Sequence, residues 1–336
     1  MSREFKEYRL DEVCDLLAEK KNTLIIYHVR PDADAIGASF ALRLVLEAMG
    51  SKTLCTCESE IPSRLAFLTE NIQRTAKFES IDSSFEFERV ITVDTASPSQ
   101  LGALEHLFED KVDLMIDHHE NGSKYADHYI RSDQAASGEI VYDIAKRLCE
   151  LGKLESIPSP AYDLIYAALS SDTGCFKYSN VSPHTHLCAA ELIKAGVDAA
   201  EINHKLFDCK SEKMLVAEAI GVQNMKFYHN RKIAAVIFPY ELKQKHELDD
   251  EHLETLVDVA RAVDGVKIAI SARQSTAYRS FRISMRSSCT FDVSVIAKHF
   301  SGGGHPKAAA CTIEADSIEF AVRLVVDEII KRWEKN

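Results

Sequence analysis

Between residues 23 and 172 the chain returns four times to one arrangement, an apolar run that stops on an acidic or histidine residue. Thr23 to Tyr27 runs into His28, with Asp32 and Asp34 close behind, and Val90 to Val93 stops on Asp94. Leu114 to Ile116 stops on Asp117, His118 and His119, and Ala168 to Ser171 on Asp172, Thr173 and Gly174. Amphipathic helical stretches lie among these runs, over Leu10 to Lys20, Ala35 to Met49, Ser137 to Leu151 and Ala161 to Leu169. Short strands separated by helices make βαβ units, and so a mostly parallel sheet with helices on both faces. In such a sheet ligands gather at the carboxyl ends of the strands. The four clusters are therefore predicted to converge, each after a strand, on one crevice.

The rest of the chain fills in a two-domain α/β organisation, as 336 residues exceed the usual limit of a single core. Further strands are predicted over Ser51 to Cys57, Arg89 to Val93 and Lys111 to Ile116, and further helices over His186 to Ala195 and Glu201 to Phe207. A helical connector over Ser211 to Phe227 leads into a different segment. There strands at Lys232 to Pro239, Val266 to Gln274 and Phe281 to Ser287 alternate with helices at Asp250 to Val263, Val293 to Phe300 and Ser317 to Glu334. The predicted division is a catalytic domain over 1–208, a helical linker over 209–228 and a smaller α/β domain with a mixed sheet over 229–336.

Charge narrows the partners. Forty Lys and Arg stand against 52 Asp and Glu, a net of −12, which argues against a protein that coats long duplex nucleic acid. The imbalance reverses locally: between Gly265 and Ala310 lie Lys267, Arg273, Arg279, Arg282, Arg286, Lys298 and Lys307 against the single acid Asp292. That is the composition of a local anion-binding face. No apolar run approaches the roughly 20 residues that span a bilayer. The charged N-terminus lacks a signal-peptide core, and nine scattered cysteines suit reduced thiols, so a cytoplasmic enzyme is expected.

The clusters also limit the chemistry. Carboxylates and imidazoles without cysteine suit Mn²⁺, Fe²⁺, Zn²⁺ or Mg²⁺, and oxygen-rich coordination favours Mn²⁺ or Mg²⁺. Asp32, Asp34, Asp94, Asp117 and Asp172 in one cleft would repel one another strongly unless cations neutralised them. That many ligands exceeds what one metal needs. Two ions about 3.5–4 Å apart, sharing a carboxylate, would activate water for in-line attack on phosphorus. Phe176 to Asn180 directly follows the fourth cluster, and an aromatic there could stack on a base. Near the other end of the chain, Gly302-Gly303-Gly304-His305-Pro306 follows a predicted helix, and glycines let backbone N–H groups approach an anion.

In this order, His28-x₃-Asp32-x-Asp34, Asp94, Asp117-His118-His119 and Asp172 resemble the four signature motifs of the DHH phosphoesterase superfamily. Gly302 to Pro306, with Arg286 in Ser284-Met285-Arg286-Ser287, resembles the glycine-rich motif of the DHH-associated domain. The compact size makes the chain similar to the NrnA-type oligoribonuclease/pAp phosphatases within it. RecJ-type exonucleases are usually longer, and family II pyrophosphatases carry a different C-terminal domain. The resemblance implies that His28 and Asp32 hold one metal, Asp34, His118 and Asp172 the other, and that Asp94 bridges them. It implies that His119 faces the substrate phosphate as stabiliser or proton donor, with Asp117 orienting a histidine. Arg286, Gly302, Gly303, Gly304 and His305 would bind a terminal 5′-phosphate, Arg supplying the planar fork that phosphate prefers. Ala38 and Ala310 stand where many relatives have Ser and Gly.

The implied function is that of a phosphodiesterase using two Mn²⁺, with Mg²⁺ as the other candidate, releasing 5′-mononucleotides from very short RNA. Linear dinucleotides such as pApA and pGpG would be substrates, and the 3′-phosphate of pAp a further one. With a terminal phosphate held in one domain and hydrolysis in the other, the pair would act as a ruler for substrate length. The partners are then short single-stranded RNA and pAp, not long duplexes or membranes, and a homodimer is compatible. Two alternatives stand beside this reading, a cyclic dinucleotide (c-di-AMP) phosphodiesterase and a non-catalytic nucleotide-binding regulator.

Overall fold

A computed structural model of the chain describes residues 4–72, 85–108, 110–120, 122–276 and 278–333. Two compact units divide it, the first ending at Cys209 and the second beginning at Lys210. In the first unit α1 (Leu10–Leu17) precedes β1 (Thr23–Tyr27), α2 (Ala33–Ala48), β2 (Thr53–Thr56), β3 (Arg89–Val93), α3 (Glu105–Phe108) and β4 (Leu114–Asp117). Then come β5 (His128–Ile130), α4 (Ser137–Glu150), α5 (Ser159–Asp172), α6 (Pro183–Lys194) and α7 (Ala199–Asn203). The five strands form one parallel sheet in the order β2-β1-β3-β4-β5.

The apolar runs read as buried strands because both of their faces are covered. Ile25, Ile91, Val93 and Ile116 join the core that α1, α2, α4 and α5 build on one side. Leu24, Ile26, Val90 and Met115 pack on the other side against Leu101, Leu104 and Phe108, from α3 and the 3₁₀ turn before it. α2 is apolar around most of its circumference because it lies between the sheet and α5. The approach is close: a Cβ on Gly37 would sit 2.4 Å from the carbonyl oxygen of Leu164. α2 ends as expected, with Gly50 at φ +93° just beyond its C-cap.

The second unit contains α8 (Glu212–Gln223), β6 (Met225–Tyr228), β7 (Ile233–Phe238), α9 (Tyr240–Lys245), α10 (Leu256–Arg261) and β8 (Ile268–Arg273). β9 (Ser280–Ser287), α11 (Ser294–His299), β10 (Gly303–His305), β11 (Ala308–Glu314) and α12 (Ile318–Trp333) complete it. Its sheet runs β10-β11-β9-β8-β7-β6 and is mixed, with β7 and β8 parallel and the other neighbours antiparallel. β9 alternates strictly: Phe281, Ile283 and Met285 enter the core under α11 and α12, while Arg282, Ser284 and Arg286 face the other way.

The predicted fold class holds in both units, with local differences. The connector helix stops at Gln223 instead of running to Phe227, because Met225–Tyr228 pairs with β7 as an edge strand. The helix expected over Asp250 to Val263 is a 3₁₀ turn at Asp250–Leu253 followed by α10. β5, β10 and β11 are additions to the predicted strands. The predicted end of the last helix at 334 lies outside the described residues.

Candidate metal centre and phosphate site

Three of the four clusters sit where a parallel sheet presents them. His28 follows β1, Asp94 follows β3, and Asp117 ends β4 with His118 and His119 behind it. Asp32 caps α2, its Oδ1 accepting the N–H groups of Asp34 and Ala35 at 3.0 Å each. Asp94 adopts φ +58°, a left-handed conformation that Asp tolerates better than most side chains. Asp172 departs from expectation. It is the last residue of α5, so a helix and not a strand delivers the fourth cluster. Of the run, Ala168, Leu169 and Ser170 are buried on that helix, which packs against α2.

These side chains meet. His28 Nε2 lies 3.8 Å from Asp32 Oδ1 and 3.5 Å from Asp94 Oδ2. His118 Nε2 lies 3.6 Å from Asp94 Oδ1, 3.8 Å from Asp34 Oδ2 and 3.4 Å from Asp172 Oδ2. Asp117 Oδ1 accepts from the backbone N–H of His118 at 2.8 Å and lies 2.6 Å from His119 Nδ1. His119 Nδ1 is also 3.7 Å from Asp94 Oδ1. Asp34 is wholly buried, Asp94 and Asp117 almost so, whereas Asp32 is half-exposed.

Burial and charge crowding together shift His28, His118, His119, Asp34, Asp94 and Asp172. Burial alone would lower the pKa of His28, but Asp32 and Asp94 outweigh it and push it up to about 12. His119 is likewise opposed by burial and carried up to about 9 by Asp117, Asp94 and Asp34. For His118 burial prevails over the carboxylates and the pKa falls. Asp34 and Asp172 are raised well above the usual carboxylate range by burial, then by neighbouring carboxylates. In Asp94 the histidines, led by His28, overcome burial and hold the carboxyl low.

The donor set fits divalent cations. Three groups each bring their ligand atoms within 4.8 Å of one another: His28, Asp32 and Asp94; Asp34, His118 and Asp172; and Asp94, His118 and His119. They offer carboxylate oxygen and imidazole nitrogen without a thiolate, the chemistry of Mg²⁺, Mn²⁺ or Zn²⁺. The buried Oδ2 of Asp117 has no hydrogen-bond partner among the described residues. Carboxylates this crowded and this dry need counter-charge.

Sequence reasoning missed the groups that orient these carboxylates. The backbone N–H groups of Ser137 and Gly138 donate to Asp34 Oδ2 and Oδ1 at 2.7 and 2.8 Å, and Ser137 Oγ donates to Asp94 Oδ1 at 3.0 Å. The signal was available, since Ser137 opens a predicted helix whose N-terminus carries unpaired N–H groups. Asn180 Nδ2 donates to the carbonyls of Ala135 and Asp172 at 3.0 Å each. Phe176 packs against Tyr166 and stacks on His186 within the hydrophobic cluster, while Tyr178 is exposed.

In the second unit, the glycines form a hairpin, not a loose loop. β10 pairs with β11, and β11 stands between β10 and β9. The register places His305, Ala308 and Arg286 side by side in one row. Gly302 and Gly304 are dictated by strand packing: a Cβ would lie 2.2 Å from the Ala310 carbonyl oxygen at the first and 2.5 Å from that of Ala308 at the second. Gly303 faces open space. Packing does not require it, so its missing side chain suits approach by something else.

Residues 22–169 match the N-terminal domain of the DHH family, and residues 230–331 match the DHHA1 domain. A Streptococcus mutans protein named a probable bifunctional oligoribonuclease and PAP phosphatase NrnA is 28% identical over 293 residues, covering 86% of this chain and 88% of that one. A Thermus thermophilus protein named a bifunctional oligoribonuclease and PAP phosphatase NrnA is 26% identical over 307 residues, 91% of this chain and 88% of its own. Among solved structures, an exopolyphosphatase-related protein from Bacteroides fragilis has the same fold, with a TM-score of 0.87 at 21% identity over 97% of this chain and 96% of its own. Among the described residues no helix is long and apolar enough to cross a membrane.

Proposed function

From the premise that this chain belongs to the DHH phosphoesterase family and carries a DHHA1 domain, we propose that it hydrolyses short oligoribonucleotides to 5′-mononucleotides with two divalent cations, Mn²⁺ foremost. The observation that carries this reading is Asp94, whose two oxygens face two different donor groups, Oδ2 towards His28 and Oδ1 towards His118. A carboxylate so placed is suited to being shared. His28 and Asp32 would hold one cation, Asp34, His118 and Asp172 the other, and Asp94 both. Bound there, the cations would neutralise the carboxylates and lend Lewis acidity to a phosphoryl oxygen.

The chain's own residues supply the rest. In the metal-free chain Asp117, with Asp94 and Asp34, lifts the His119 pKa to about 9 despite burial, and Asp117, which is not a proposed ligand, would keep favouring the protonated ring once cations are bound. With Nδ1 committed to Asp117 at 2.6 Å, Nε2 is the nitrogen that would pass a proton to the leaving oxygen. Asp117 fixes the ring for that transfer. In the second unit, the row of Arg286 and His305 beside the open Gly303 would take the substrate's 5′-terminal phosphate. Removal of a 3′-phosphate from pAp uses the same groups, and the relatives' names support it.

The test is a substrate profile with Mn²⁺, using labelled RNAs of two, three, five and ten nucleotides beside pAp and cyclic di-AMP. The expected order is fastest turnover on the shortest RNAs, with release of mononucleotides and measurable dephosphorylation of pAp. A preference for cyclic di-AMP would replace the substrate class and keep the chemistry. No turnover of any of these with Mn²⁺ or Mg²⁺, in a chain that still binds pAp, would establish a non-catalytic binding protein.

A further inference from the structure

Two helix N-termini enter the carboxylate cluster, and they serve different members of it. The first N–H groups of α2, those of Asp34 and Ala35, go to Asp32 Oδ1, on the side of His28. The start of α4 serves the other side. Its Ser137 and Gly138 N–H groups hold both oxygens of Asp34, and the Ser137 hydroxyl donates to Asp94 Oδ1 at 3.0 Å. That is the Asp94 oxygen facing His118, while Oδ2 faces His28 at 3.5 Å. Each proposed cation site thus has its own helix terminus behind it.

The α4 contact is built with care. Ser137 is fully buried, so its hydroxyl depends on a partner within the protein. Gly138 permits the approach, since a Cβ there would lie 2.4 Å from the Ala168 Cβ and 3.4 Å from Asp34 Oδ1. Glu139, its side chain buried, accepts from the Ala135 N–H at 2.7 Å and holds the turn from which α4 starts. Asn180 ties that turn to Asp172 by bridging the two carbonyls.

We propose that Ser137 is a positioning residue that sets the affinity of the Asp34–His118–Asp172 cation site separately from that of the His28–Asp32 site. The inference rests on the two-cation reading above. A hydroxyl donating to one lone pair of Asp94 Oδ1 fixes the carboxylate plane and leaves the other lone pair for a cation. Without it Asp94 is held only from the Oδ2 side, where a cation shared with His28 and Asp32 would anchor it, and the Oδ1 side loses its set position first. Hydrogen-bond partners of metal ligands typically govern affinity by about 10–100-fold.

The experiment is calorimetric titration of Mn²⁺ into the full chain after chelator treatment, for wild type, Ser137→Ala and Ser137→Thr. Asp172→Ala and Asp32→Ala identify which binding event belongs to which site. In Ser137→Ala the event missing from Asp172→Ala should weaken by roughly tenfold or more, and the event missing from Asp32→Ala should keep its affinity. The metal-free melting temperature should stay near that of wild type, and Ser137→Thr, which retains the hydroxyl, should restore the lost affinity. Unchanged affinities in Ser137→Ala would overturn the proposal, as would equal weakening of both events with a lowered metal-free melting temperature. A wild-type chain that takes up fewer than two Mn²⁺ would overturn the two-cation reading itself, and the proposal with it.

Discussion

Asp94 joins two demands in one residue. Its carboxylate stands among three histidines, and its backbone sits at φ +58°. The two demands can be separated by substitution. Asparagine keeps the shape and tolerates the left-handed backbone, whereas alanine loses both the carboxylate and the local fit. Asp94→Asn and Asp94→Ala are each expected to lose Mn²⁺-dependent hydrolysis by about 10²–10³-fold or more, the loss of several kcal/mol of transition-state stabilisation. Urea denaturation of the metal-free variants should distinguish them, with Ala about 1 kcal/mol less stable than Asn. Equal stabilities would show that the backbone at this position carries no strain. Near-normal turnover in either variant would remove Asp94 from the centre. Arg286 is tested on another axis: Arg286→Ala should raise KM for 5′-phosphorylated dinucleotides with little change in kcat. An equal loss on unphosphorylated dinucleotides would contradict its anchoring of that phosphate.

At the scale of elements, legibility followed the strength of the local pattern. β1 and β3 were readable to the residue because both their faces are buried, so an unbroken apolar run marks each one. β11 was not, since its burial alternates but Ala308 to Cys311 are all small and apolar, so the sequence does not show the alternation. Its place was hidden in pairing with β9, a long-range fact that no local window contains. Asp172 followed an apolar run like the other ligand candidates, but that run is apolar because α5 packs on α2, and a helix buried this way looks like a strand over four residues. The residues of the cluster were thus legible and their scaffolding was not. Gly138 acts through its backbone N–H, which leaves no trace in side-chain chemistry, and the Ser137 hydroxyl meets a partner 43 residues away, beyond any local window. The glycine hairpin offers a prediction at this scale. Gly304→Ala, at φ +133° and against the Ala308 carbonyl oxygen, should destabilise the second unit by about 1–3 kcal/mol. Gly303→Ala should leave its denaturation midpoint unchanged and raise KM for 5′-phosphorylated substrate. Reversal of these two effects would place the ligand at the wrong glycine.

Over the whole molecule the net charge of −12 divides unevenly, with a carboxylate cluster in the first unit and a basic stretch from Lys267 to Lys307 in the second. Without metal, protons supply the missing positive charge of the cluster. His28 and His119, raised to about 12 and about 9, hold protons at neutral pH, and burial with neighbouring carboxylates raises Asp34 and Asp172 as well. Cations entering this centre must displace protons, so metal uptake and pH are linked. The sign follows from the direction of the shifts. A histidine ligand with a raised pKa competes with metal by holding its proton, so Mn²⁺ affinity should rise with pH, about tenfold per unit for each proton displaced. Raised carboxyls act on stability in the same sense. The metal-free fold binds protons at Asp34 and Asp172 more tightly than the unfolded chain, so their contribution falls as pH rises from the ordinary carboxyl range through the raised values. Mn²⁺ relieves that loss. Its upward shift of the melting temperature should therefore be larger at about pH 8 than at about pH 5. Calorimetry of Mn²⁺ binding in two buffers of different ionisation enthalpy should count at least one proton released per chain near neutrality. An affinity flat in pH, with no proton released, would mean that the cations bind a cluster already stripped of its protons, and would move His28 out of the ligand set.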